Sequence, residues 1–176
     1  MRVRDSQRSK VYRAEKILEG RSKKQFKPLD EVVTYIKDVY TSKWFRKHFT
    51  GLPYTILDGR GNRCASASTG VAAVTFRFPR WSRKDWVILH EISHAVIDHE
   101  VAWHGREFCM AYLKLVKHFM GDLAFKALKD SFKKNKVKYK KKKQLSEETR
   151  QKLSEALKGK LYIAKTFSVS RKLDLD

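Results

Sequence analysis

The sequence predicts an α+β fold in which a small antiparallel sheet is set among packing helices and is followed by a basic, partly helical tail. Three observations predict it. Apolar residues recur at helical spacing on both sides of one short stretch where Gly, Pro and Asn punctuate β-type residues. Lysine dominates the chain beyond Phe132. A length of 176 residues suits one domain with a real core and an appendage rather than two full domains.

Val11, Ala14 and Leu18 mark a first short helix that stops at Gly20, before the basic loop RSKKQFKP. After Pro28, one stripe of Leu29, Val32, Val33, Ile36, Val39 and Tyr40 defines a second helix, whose pattern runs on toward Trp44 and Phe45. Between Gly51 and Thr69 the punctuation predicts a hairpin with the turn DGRGN, and Val71 to Phe78 reads as a strand ended by Pro79. Helix resumes at SRKDW, with Ser82 or Asp85 as N-cap. A further helix after Gly105 buries Phe108, Ala111, Tyr112, Leu115, Val116 and Phe119 and stops at Gly121. A last core helix runs through Leu123, Ala124 and Leu128. From Lys133 to Lys160 there are 12 Lys and Arg against 3 Glu. That shift divides the chain into a domain at 1–132 and a tail at 133–176.

Forty Lys and Arg against 19 Asp and Glu leave a net charge of +21. Such a surface attracts polyanions, nucleic acid first and an anionic membrane second. The N-terminus has no apolar signal-like region and no apolar run reaches the length of a membrane span, so a soluble, cytoplasmic protein is expected. Cys64 and Cys109 form no paired spacing and read as reduced, ordinary residues.

Four of the six histidines fall within HEISHAVIDHEVAWHGREF, residues 90–108. On a helix, positions four apart differ by about 40° around the axis, so His90 and His94 project side by side and can share a cation. Glu91 lies about 100° round, on the flank of that site. Ile88, Ile92, Ala95 and Val96 take the opposite side. Two neutral imidazoles with an adjacent carboxylate suit zinc, because nitrogen ligands match a borderline ion and the Glu can accept a proton from water. For a third ligand, His104 ranks first, Glu107 next and His99 last, while Glu100 is a further carboxylate alternative. Asp98, one turn beyond His94, is a candidate to orient a ligand imidazole.

HExxH followed by H-G-x-E-F and an apolar helix resembles the SprT/Spartan-like and related small zincin metallopeptidases, here through His90, Glu91, His94, His104, Gly105, Glu107 and Phe108. The opening RDSQRSKVYRAE is similar to the start of a small family of metallohydrolases of actinobacteria and their phages. The resemblance implies a minimal zincin fold, Zn2+ held by His90, His94 and His104, and Glu91 as general base in amide hydrolysis. It implies a polypeptide substrate, which the strand Val71–Phe78 could receive along a free edge. The longer metzincin pattern is not kept, and no residue is identified that would stabilise an oxyanion.

In the tail, KKNKVKYKKKK is a solvated run, and QLSEETRQKLSEALKGK suits a short helix at 146–158 capped by Ser146. The candidate nucleic-acid contacts are Lys140, Lys141, Lys142, Lys143, Arg150, Lys152, Lys158 and Lys160. Ser146, Glu147, Glu148, Thr149, Lys152, Ser154, Glu155, Ala156, Lys158, Gly159 and Lys160 resemble the nuclease-associated modular DNA-binding motif found beside homing-endonuclease domains. That resemblance implies salt-sensitive, weakly sequence-selective DNA contact, here without a nuclease signature. Three readings follow: a zinc peptidase acting on proteins at DNA, a non-catalytic nucleic-acid-binding protein with a structural zinc, and a hydrolase with another substrate. Glu91 and an open coordination position favour the first over the second.

Overall fold

Val11, Ala14 and Leu18 are fully buried. The helix that carries the first two, α1 (Arg8–Glu15), passes into a 3-10 turn at Lys16–Arg21 that holds Leu18. The computed structural model describes residues 4–70, 72–98, 100–140, 147, 151–152 and 154–156. Two units divide the chain, Met1–Lys141 and Lys142–Asp176.

In the first unit, Pro28 precedes helix α2 (Leu29–Thr41), and Asp30 and Glu31 in its first turn complement the positive end of the helix dipole. Val32, Ile36 and Val39 are buried, but Val33 stands at the margin of the stripe and is 38% exposed. The helix ends at Ser42, whose Oγ accepts a hydrogen bond from the Phe45 N–H at 3.1 Å and caps a separate short helix, α3 (Lys43–His48). Extended backbone at Ser42 therefore breaks what the periodicity alone reads as one element.

Strands β1 (Tyr54–Asp58), β2 (Ser66–Thr69) and β3 (Val74–Phe78) form a three-stranded sheet among the described residues, in the order β1-β3-β2. β2 pairs antiparallel with β3, Ala67 opposite Phe76, whereas β1 pairs parallel with it, Ile56 opposite Phe76. The sheet is thus mixed, not antiparallel throughout. DGRGN does turn, with Asn62 N–H bonded to Gly59 O at 2.9 Å and Gly61 at φ +81, but the strands it joins are not neighbours. The reason is burial. Val74, Phe76 and Phe78 are completely enclosed, so β3 takes the centre, and the β2–β3 hairpin turns instead where Gly70 N–H meets Ala73 O at 2.9 Å.

Beyond Pro79 and a 3-10 turn at Arg80–Ser82, Arg83 reaches back into the sheet. Its guanidinium donates to Phe78 O, Lys27 O and Asp58 Oδ1 at 3.2, 2.8 and 3.0 Å. Helix α4 (Asp85–Ala95) starts here with Lys84 as N-cap. Neither expected cap serves. Ser82 Oγ donates to Pro79 O, and buried Asp85 holds the loop after the first helix, accepting from Ser22 Oγ at 2.6 Å and Lys23 N–H at 3.2 Å. The α4 residues Val87 to Ala95 are all buried, so the helix is enclosed all round rather than amphipathic.

Helix α5 (Arg106–Met120) packs on α4, and Gly121, at φ +92, turns the chain into α6 (Asp122–Lys134). α6 buries Ala124, Leu128 and Phe132, whereas Leu123 is 81% exposed because its helix face is set by the other three. Val137 joins the core past the helix end, and the Tyr139 ring lies 5.8 Å from that of Phe132. In the second unit Glu147, Gln151, Lys152 and Ser154–Ala156 are helical, and the rest of the expected 146–158 span lies outside the described residues. No helix among the described residues is long and apolar enough to cross a membrane.

Candidate metal centre

His90, Glu91 and His94 sit in the last two turns of α4, and the backbone leaves the helix immediately after, with Val96 at φ −106 and ψ 4. The chain then loops round through Trp103 to place His104 beside them. His90, His94 and His104 are buried, and their nearest ring nitrogens all lie within 4.8 Å of one another. Nε2 of His90 and Nε2 of His94 are 3.2 Å apart. Two nitrogens bound at about 2.0–2.1 Å to one tetrahedral ion would stand roughly 3.3 Å apart.

Hydrogen bonding on the far side of the rings explains the arrangement. Glu15 Oε2 accepts from His90 Nδ1 at 2.6 Å, and Asp5 Oδ2 accepts from His104 Nδ1 at 2.6 Å. A carboxylate only accepts, so each Nδ1 carries the hydrogen and each Nε2 presents a lone pair. His94 Nε2 stands 3.2 Å from His90 Nε2, a spacing that suits two nitrogens sharing one cation. His104 Nε2 is moreover buried without a hydrogen-bond partner among the described residues. The donor set therefore fits a divalent metal, with carboxylates behind two of the imidazoles as metal-site histidines usually have.

Aromatic packing fixes the rings. Phe108 stacks on His94 with centroids 4.4 Å apart and meets His90 and His104 edge-on at 4.9 and 5.0 Å. Tyr12 of α1 covers the cluster from the other side, 5.0 Å from His104 and 5.6 Å from His90. Gln7 Nε2 donates to His104 O at 2.6 Å and so anchors the loop. Gly105 is required by close approach, because a Cβ there would stand 2.9 Å from Ala102 O.

Glu91 is buried against the edge strand, and its carboxylate accepts from the Ala67 N–H of β2. Burial pushes Glu91 up to about 7, with Glu15 adding to the rise and His90 and the Ala67 amide opposing it. At His90 burial acts downward, but Glu15 and Glu91 outweigh it and the imidazole is raised. At His104 burial prevails over Asp5 and the imidazole is lowered. An open cavity of about 240 Å³ exposes the site, lined by Asp5, Arg8, Tyr12, Cys64 to Ala67, Glu91, His94, Trp103 and His104.

The three histidines ranked first by spacing are thus brought together. Glu107 is exposed in the first turn of α5 and Glu100 is exposed in the loop, so neither belongs to the cluster, and His99 lies outside the described residues. Asp98 is exposed, with Oδ1 accepting from Glu100 N–H at 2.9 Å. For His90 and His104 the orienting carboxylates come instead from the N-terminal segment, from residues the spacing argument did not single out. Glu15 did carry a signal, an acid set among Val11, Ala14 and Leu18 on an apolar helix face. The expected substrate edge also moves: β3 is paired on both sides, and the free edge beside the cavity belongs to β2.

Of the expected nucleic-acid contacts, Lys140 and Lys152 are exposed, whereas Lys141, Lys142, Lys143, Arg150, Lys158 and Lys160 lie outside the described residues. A family model described as the NUMOD3 motif matches residues 143–161 and associates this part of the chain with DNA. No curated protein and no solved structure matches the chain.

Proposed function

We propose that the chain is a zinc-dependent peptidase of the small zincin type that acts on proteins at or near DNA, held there by its C-terminal motif. The observation that carries this reading is the buried His90–His94–His104 cluster with Glu91 beside it at an open cavity. His90, His94 and His104 would hold the ion, with one position left for substrate or solvent. A Zn2+ ion there supplies Lewis acidity toward a carbonyl and lowers the pKa of water toward roughly 7.

The chain's own groups do the rest. Glu91, pushed up to about 7, takes a proton from the attacking water and passes it to the leaving amine. The outer edge of β2, apart from the Ala67 N–H that Glu91 holds, offers backbone groups along which an extended peptide can add as a further strand. Tyr12 and Arg8, which line the cavity together, bring hydrogen-bond donors for the charge that develops on the carbonyl oxygen. Their place on α1 supplies the oxyanion partner that the motif alone lacks.

The test uses the purified full chain loaded with zinc. Glu91→Gln should keep one zinc per chain and lose cleavage of DNA-binding protein substrates, by at least about a hundredfold as expected for a general base. Unchanged cleavage by that variant overturns the role of Glu91. Absence of cleavage by the wild type, with and without DNA, favours a non-catalytic nucleic-acid-binding protein with a structural zinc.

A further inference from the structure

We infer that the groove between α1 and α6 is a phosphate-binding surface for nucleic acid, built into the first unit and separate from the C-terminal motif. The charge distribution points there. Residues 1–141 hold 31 Lys and Arg against 14 Asp and Glu, a net +17, whereas residues 142–176 hold 9 against 5. Most of the attraction for a polyanion therefore belongs to the unit that the motif match does not touch.

Within that unit the groove concentrates cations from two elements. Arg13, Lys16 and Arg21 come from α1 and the turn after it, and Lys134 comes from the last turn of α6. All four are exposed, and among the described residues no ion pair engages them. The neighbouring acids are occupied elsewhere. Asp130, in the groove itself, pairs with Lys133 at 3.0 Å, and Glu19 pairs with Lys84 at 2.6 Å. Arg21 Nη1 donates to Ile17 O at 2.9 Å, which holds its guanidinium beside the groove floor.

The packing favours nucleic acid over a membrane surface. A helix that lies on a bilayer needs a broad apolar face to insert. Val11, Ala14 and Leu18 are fully buried in the core, which leaves Ile17, 40% exposed, and the small, half-buried Ala127 as the apolar side chains lining the groove, too few for such a face. Four cations lining a groove suit a backbone that tracks along it. With the C-terminal motif on the same chain, the groove would act as a second point of contact and raise the effective concentration of each for the same strand.

The inference rests on DNA being the partner, so the experiment separates the two ideas. Binding of the full chain to a labelled DNA duplex is measured over a series of salt concentrations. Arg13→Gln, Lys16→Gln and Lys134→Gln are combined in one variant, and Arg150→Gln, Lys152→Gln, Lys158→Gln and Lys160→Gln, all within the matched motif, in another. Each phosphate contact contributes about 0.9 to the slope of log K against log salt, so the groove variant should lower that slope by about 2–3. Should the triple variant melt below the wild type, Arg13→Gln with Lys16→Gln takes its place, with an expected drop of about 2. A slope unchanged in the groove variant but reduced in the tail variant overturns the groove and leaves the motif standing. Absence of salt-dependent binding by the wild type removes both. Loss confined to phosphatidylserine vesicles, with DNA binding intact, also overturns the inference.

Discussion

Glu15 accepts a hydrogen bond of 2.6 Å from Nδ1 of His90, across 75 positions of sequence, and both residues are buried. This contact makes α1 part of the candidate metal centre rather than a helix that merely packs near it. It fixes the tautomer and the ring plane of one histidine of the cluster and leaves its Nε2 on the side of the other two. Removing such an orienting partner usually costs 10–100-fold in metal affinity. Glu15→Gln, which keeps an acceptor but loses the charge, should weaken zinc binding by about tenfold, and Glu15→Ala by about a hundredfold. Competition against a chromophoric chelator measures both. Equal affinity in all three proteins would separate Glu15 from the centre.

Metal removal should show in stability as well as in chemistry. His90, His94 and His104 come together only in the folded chain, so an ion held by all three would stabilise the fold by mass action. At a hundredfold excess over its Kd, zinc should add about 2.7 kcal/mol to the stability of the fold. For a unit of this size that corresponds to roughly 9 °C in melting temperature. Calorimetry with and without chelator reads the shift, and coincident melting curves would mean that the cluster holds no ion.

Gln7 links the centre to the end of the first unit. Its Nε2 donates to His104 O at 2.6 Å and to Lys138 O at 3.1 Å, and its Oε1 accepts from Lys138 N–H at 2.9 Å. Gln7→Ala leaves three buried or half-buried backbone groups to find other partners, at about 1–3 kcal/mol in all. The expected outcome is a lower melting temperature together with faster amide exchange at Lys138 and weaker zinc binding through His104. A Gln7→Glu variant, with one acceptor kept and the donors lost, should restore the Lys138 N–H contact but not the hold on His104.

Much of this was legible because spacing and burial obey simple rules. His90, Glu91 and His94 follow from helical periodicity, and His104 ranks first because the chain after α4 can fold back; the helix does end at Ala95. The two orienting carboxylates were harder. Glu15 interrupts an apolar stripe, which is a readable anomaly, but Asp5 lies before the first helix and its partner is 99 positions away. Strand order is not legible for a different reason. The DGRGN segment makes a real turn, and local turn chemistry says nothing about which strand inserts afterwards between the two that it joins. The alternation of Val74, Phe76 and Phe78, all enclosed, was the clue to a central strand.

Cys64 separates the catalytic reading from the structural one. It is exposed, lies just before β2 with Ala65 between, and lines the same cavity as Glu91, His94 and His104. A structural zinc site normally closes with four protein ligands, and Cys64 is the thiol of this chain placed at the cavity, since Cys109 is buried behind His104 with its Sγ 3.7 Å from His104 O. If the site is catalytic, the fourth position is kept for solvent and substrate, and Cys64→Ser should leave zinc affinity within about twofold of the wild type. Cobalt substitution adds a spectroscopic reading, because a thiolate ligand gives an intense near-ultraviolet charge-transfer band that three imidazoles do not. The expected result is a cobalt protein without that band and a spectrum unaffected by Cys64→Ser. A thiolate band that disappears in the variant, together with a fall in metal affinity, would assign a closed His3Cys site and leave Glu91 with no water to activate.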